Sequence, residues 1–317
     1  MQQQKLESFF KIKINHNERN KKCFIYDPAT YKAFFTSKPQ DTDTFVVTKS
    51  NVKLYYRFQT PKNITIPTIN VDFSIPLLKS NLQKAIRRCE NDIAIQSALA
   101  IIQKKPLEFL RRLPIIYIED GCLLDSYPIV VWLMMADKDY ILTTTDVDIL
   151  LNIVNSLCHY KDYFDDREKI KKKPLFSHES LQDYENCHDL LALFYRSEYG
   201  GMKGDMQMLK NAISYYIDYP SKTRKTLYGW IDYAKIDTNL EILVEAIDFH
   251  PYPQMLPILS RMTQLEKDLI KEFIWYAESG YNIRKPFTLE SSKKYIERRE
   301  WHRISSCLES VREDLIA

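Results

Sequence analysis

A mostly helical α+β fold, with a small β-rich part first and a large helical array after it, is what the 317-residue sequence predicts. Three observations carry this. Between Cys23 and Pro76 the segments FVV, VKLYYRF and ITIPTINVDF are rich in β-branched and aromatic residues, which fit a pleated, half-buried surface. Five of the 14 prolines, at positions 28, 39, 61, 67 and 76, fall in that same part. From Ser80 onward the apolar residues recur at helical spacing in one segment after another. The expected division is a polar tail at 1–20, a β-rich domain at 21–79 and a helical domain at 80–317.

The tail carries LESFF, but its continuation KINHNERNKK has too little apolar content to fold alone. The β-rich part contains no glycine. Tight Asn-Gly hairpins are therefore absent, longer loops are expected, and Pro61 and Pro67 suggest an edge strand. LQKAIRRCE, NDIAIQSALAIIQ and PLEFLRRLPIIYIED then read as three helices with very short joints. Asn91 or Asp92 caps the second, and Pro106 occupies the first turn of the third. Tyr127–Ala136 (YPIVVWLMMA) is far too short to span a membrane and reads as a buried core segment. TTTDVDILLNIVNSLC is a helix with a Thr/Asp cap. A charged stretch near 161–176 reads as an exposed linker, and its KIKKKP (169–174) is either a nuclear localisation signal or solvated chain. DLLALFYRSEY, DMQMLKNAISYYI, NLEILVEAIDF, QLEKDLIKEFIWYAE and LESSKKYIERREWHRISSCLESVREDL complete the array. No fixed-period repeat makes it a solenoid.

Composition narrows the function classes. The net charge of +3 does not itself argue for nucleic-acid binding, which requires a clustered basic patch. No apolar run approaches a membrane span, and the first ten residues lack the basic start of a signal peptide. The six cysteines are scattered without a CxxC pair and read as reduced thiols of an intracellular protein. The 21 tyrosines read as half-buried residues rather than base-stacking platforms.

Gln3, Leu6, Phe9 and Phe10 fit the pattern Q-x-x-[aliphatic]-x-x-[aromatic]-[aromatic]. One 3₁₀ turn places Leu6 and Phe9 on a single face with Phe10 beside them, a hydrophobic plug for a partner's pocket. The Gln3 amide can donate and accept at the pocket rim. Lys11 and Lys13 alternate with Ile12 and Ile14, as in an extended segment pairing along a strand edge and meeting acidic residues. This stretch resembles the PIP box, by which replication and repair proteins dock onto the sliding clamp PCNA. The alternative is a hydrophobic tail packed on the protein's own sheet.

Residues 82–125, LQKAIRRCENDIAIQSALAIIQKKPLEFLRRLPIIYIEDGCLLD, are similar to the collar-type helical module of clamp-loader-related AAA+ proteins of the MgsA/RarA family. The matching features are Arg87-Arg88 in a short basic helix, an alanine-rich helix, and Phe109-Leu-Arg-Arg-Leu113 running to Glu119-Asp120-Gly121. The resemblance implies an assembly surface at Arg111 and Arg112. It implies no ATPase activity, because no GxxxxGK[ST] loop occurs. The alternative is an ordinary three-helix unit in which Arg111 and Arg112 pair with Glu119 and Asp120.

Three of the six glycines, Gly200, Gly201 and Gly204, lie in EYGGMKGDM. With Lys203 and the following helix N-terminus, this loop is a candidate for binding phosphate, and Arg87 and Arg88 are further nucleic-acid candidates. The competing reading is a tight turn with Gly200 ending one helix and Asp205 capping the next. Cys158-His159, His178 and Cys187-His188 have no zinc-ligand spacing, and neither a metal nor a cofactor is expected. Asp146 and Asp148 are better explained by a helix start than as a nuclease pair.

The expected function is a PCNA-tethered accessory or scaffold protein of DNA replication or repair, in the nucleus or a viral replication compartment. DNA and further copies of the chain are additional candidate partners. The alternatives are a DNA-processing enzyme with a dispersed site at Asp248, His250 and Lys203, and a self-assembling structural protein.

Overall fold

The computed structural model describes residues 22–161, 184, 186–229, 231–249 and 252–316. Gln3, Leu6, Phe9, Phe10, Lys11, Lys13, His178, His250 and KIKKKP lie outside the described residues. The fold is mostly helical α+β, with one small sheet ahead of a helical array.

Strands β1 (Cys23–Asp27), β2 (Lys32–Thr36), β3 (Asp43–Lys49) and β4 (Val52–Arg57) form a sheet of order β2-β1-β4-β3. β1 runs antiparallel to β2 and parallel to β4. The expectation of long loops fails at β3–β4. Lys49 pairs with Val52, and Ser50 and Asn51 turn the chain at φ +48° and +63°. Two successive positive φ values are the signature of the tight turn that glycine usually serves, and Asn tolerates that conformation. The strand texture of ITIPTINVDF also misleads: residues 58–73 form no strand. Pro67 cannot donate to a ladder. Gln103 holds this segment instead, accepting from Ile69 N (3.0 Å) and donating to Pro67 O (2.7 Å).

Helix α1 (Ile75–Arg88) starts five residues before the expected Ser80, because Ser74 caps it and Pro76 sits in its first turn. Cys89, at φ +62°, ends it. α2 (Asn91–Lys104), α3 (Pro106–Glu119), α4 (Tyr127–Ala136) and α5 (Thr144–His159) follow. All ten residues of α4 are buried, and Trp132 donates to Phe24 O of β1. Thr143 and Asp146 form a reciprocal capping box on α5.

α6 (His188–Glu198), α7 (Lys203–Asp218), α8 (Val244–Phe249), α9 (Tyr252–Thr263), α10 (Lys267–Ile274), α11 (Pro286–Ile296) and α12 (Arg299–Ile316) complete the described helices. A π-turn, Trp275–Ser279, extends α10. α8 begins five residues after the expected Asn239. α9 is unexpected, since Pro251, Pro253 and Pro257 hide its periodicity. The long last stretch breaks at Glu297–Arg298.

The apolar interior divides near residue 250, not at the expected boundary of 79. Phe24, Tyr26, Phe35, Val52 and Leu54 of the sheet share one core with α1–α7. A second core joins Met255 and Leu259 of α9, Ile270 and Phe273 of α10, and Trp301, Ile304 and Leu308 of α12.

Between the cores the contacts are polar. Arg284, only 6% exposed, donates to the carbonyls of Ile86, Asp120, Leu157 and Tyr160. These carbonyls lie at the C-terminal ends of α1, α3 and α5, where helix carbonyls run out of intrahelical donors; Ile86 O accepts from Cys89 N as well. One guanidinium therefore caps three helix ends, where a cation also complements the helix dipoles.

Candidate anion-binding site

Two features that are far apart in sequence, the LRRL of α3 and the glycine loop, are brought together in the fold. Adjacent helical residues point about 100° apart. Arg111 is accordingly exposed, and Arg112 is half-buried. Arg112 lies 3.6 Å from the Glu119 carboxylate and 3.8 Å from that of Asp205, and it donates to Gln83 Oε1. Asp120, the other expected partner of this arginine pair, is taken by Arg87 (2.6 Å) and Gln83 (2.6 Å). The Arg111 side chain makes no hydrogen bond or ion pair among the described residues.

The loop after α6 turns through Gly200 at φ +99° and Gly201 at φ +148°, where a side chain would be strained. A Cβ on Gly201 would also sit 3.0 Å from Met206 Cε. Gly204 faces open space and is not required sterically. The expected cap, Asp205, lies inside the first turn of α7 instead. The N-cap position belongs to Met202, which makes no side-chain cap bond. Lys203 begins the helix, exposed and without a side-chain partner among the described residues.

Arg196 joins the two features. It is 3% exposed, and donates from one amino group to Gly200 O (3.0 Å) and from the other to Arg111 O (3.0 Å). Its Nε is buried without a partner. No carboxylate lies within ion-pair distance of it among the described residues, although Asp205 acts on it from further away. Burial lowers its pKa from the ordinary guanidinium value. The sequence reading missed this residue. Its signal was a cation three residues after Leu193, on the apolar face of α6.

The other sequence candidates are placed elsewhere. Arg87 is 4% exposed and bonded to Asp120 and to Ser279 O, so burial withholds it from a phosphate. Arg88 is ion-paired to Glu245 (2.8 Å), donates to Glu278 O and lies over the Tyr281 ring. Both hold the C-terminal helices to the body.

Asp248 accepts a forked pair of bonds from Arg312, each 2.8 Å, which accounts for this carboxylate structurally. Asp146 accepts from the Tyr26 and Tyr140 hydroxyls, and Asp148 from Lys62 and Tyr233. His188 Nδ1 accepts the edge amide of Phe35. Among the described residues no cluster of three metal-ligating side chains occurs, and no helix is long and apolar enough to cross a membrane. A concavity of ≈ 580 Å³ between α2 and residues 231–241 is lined by Asp92, Asp232, Asp237 and Glu241 with Lys235, a charge balance that disfavours anions.

No protein-family model, curated protein or solved structure matches the chain.

Proposed function

We propose that this chain is a sliding-clamp-tethered accessory or scaffold protein of DNA replication or repair, acting in the nucleus or a viral replication compartment. The observation that carries the proposal is Gln3-x-x-Leu6-x-x-Phe9-Phe10 with Lys11 and Lys13 behind it, in a segment too polar to fold alone. Such a segment supplies a hydrophobic plug and leaves the body free to serve a second partner. Capture of purified PCNA by the full chain, and not by a chain beginning at Lys22, is the expected result. Equal capture by both forms contradicts the proposal.

A further inference from the structure

We propose that Arg111, Lys203 and the N-terminal turn of α7 form a site for the backbone phosphates of DNA, with Arg196 as the fixed charge beneath it. Naming DNA as the phosphate source rests on the clamp-tether reading; the anionic character of the ligand does not.

Arg196 points to an anion most strongly. A buried charge is costly unless it is paired, and this guanidinium has two carbonyls, a thioether contact and an empty Nε instead of a carboxylate. Its amino groups reach directly under Gly200 and hold the Arg111 backbone beside the loop. Arg111 and Lys203 are exposed, and neither side chain makes a hydrogen bond or ion pair among the described residues. The uncapped start of α7 adds free first-turn amides and the positive end of a 16-residue helix. Of the nearby carboxylates, Asp205 lies 3.8 Å from Arg112, Glu198 is paired with Lys210 (2.9 Å), and Glu108, which the Arg111 charge also reaches, is paired with Lys79 (2.7 Å). At Gly200 nothing lies within 4 Å of where a Cβ would stand, so a phosphate can approach the backbone closely there.

The test is fluorescence anisotropy of the full chain with a labelled DNA duplex, between about 50 and about 200 mM salt. The variants are the double Arg111→Gln, Lys203→Gln and a control double, Lys38→Gln, Lys138→Gln, which removes two exposed lysines elsewhere. The site double should bind at least about tenfold more weakly at the low-salt end. Its slope of log K against log salt should be shallower by roughly 1.8, two contacts at about 0.9 each. The control should match the parent. The inference is overturned if the parent does not bind DNA, if the site double matches the control, or if only inorganic phosphate stabilises the parent against heat. PCNA affinity is measured on the same variants. Its absence in every form, beside DNA binding that maps to this site, defeats the tether reading and leaves the site standing.

Discussion

At the residue scale, the arginines divide by what their guanidinium groups face. Arg111 and Arg112 are neighbours with opposite duties, and charge reversal should separate them. Arg112→Glu places a carboxylate against Glu119 and Asp205, and thermal melts should show a loss of about 1–3 kcal/mol, between the values for surface and fully buried pairs. Arg111→Glu breaks no ion pair among the described residues and meets only the Glu108 charge at longer range, so its melting temperature should stay close to that of the parent. Light scattering then reads any change in self-association, the outcome expected if Arg111 belongs to an assembly surface. Parent-like melting and parent-like association in both variants would remove both the ion-pair lock and the assembly surface.

Arg284 is a different case, because its partners are carbonyls of three helices. Arg284→Met should cost at least about 3 kcal/mol in denaturant unfolding, since several buried acceptors lose their donor at once. A loss under about 1 kcal/mol would show that water replaces the guanidinium without penalty.

At the element scale, the sequence was legible where local rules acted alone. The capping box on α5 and the buried run of α4 are written in TTTD and in ten consecutive apolar or aromatic residues. Legibility failed where tertiary partners decided the outcome. Residues 64–73 have strand composition, yet the Gln103 side chain, not a neighbouring strand, bonds Pro67 O and Ile69 N. α9 carries prolines that a helix tolerates here because its Met255 and Leu259 are needed by the second core. The α3–loop site was half legible: its glycines and exposed cations stood out, whereas Arg196 was one cation within an apolar pattern.

The π-turn after α10 brings Glu278 towards Asp248, with Arg312 bonded to both and Glu245 and Arg88 alongside. Burial first, and then the facing Asp248 carboxyl, push Glu278 up to about 8. A carboxyl with a raised pKa stabilises the fold fully below the ordinary glutamate range, and that contribution is lost as pH rises to about 8. Glu278→Gln keeps a neutral hydrogen-bonding side chain and removes the titration. Thermal melts across this window should therefore be flatter for the variant than for the parent. Parallel curves would place the titrating group elsewhere.

At the scale of the whole molecule, two apolar cores meet across a seam of buried cations and backbone carbonyls. Lys84 and Arg87 of α1 reach Ser279 O, and Lys285 reaches Glu119 O, so the C-terminal helices are fixed by directional bonds. Such directional bonds constrain how the C-terminal helices sit against α1 and α3. The proposed tether asks nothing of the body beyond remaining folded. Calorimetry of the full chain against PCNA, with and without Phe9→Ala and Phe10→Ala together, tests this most directly. Each anchor should contribute about 2 kcal/mol or more, so binding should fall below detection while the melting temperature stays unchanged. Unchanged affinity in the double variant, or a lowered melting temperature, would place the two phenylalanines in the protein's own fold and contradict the account.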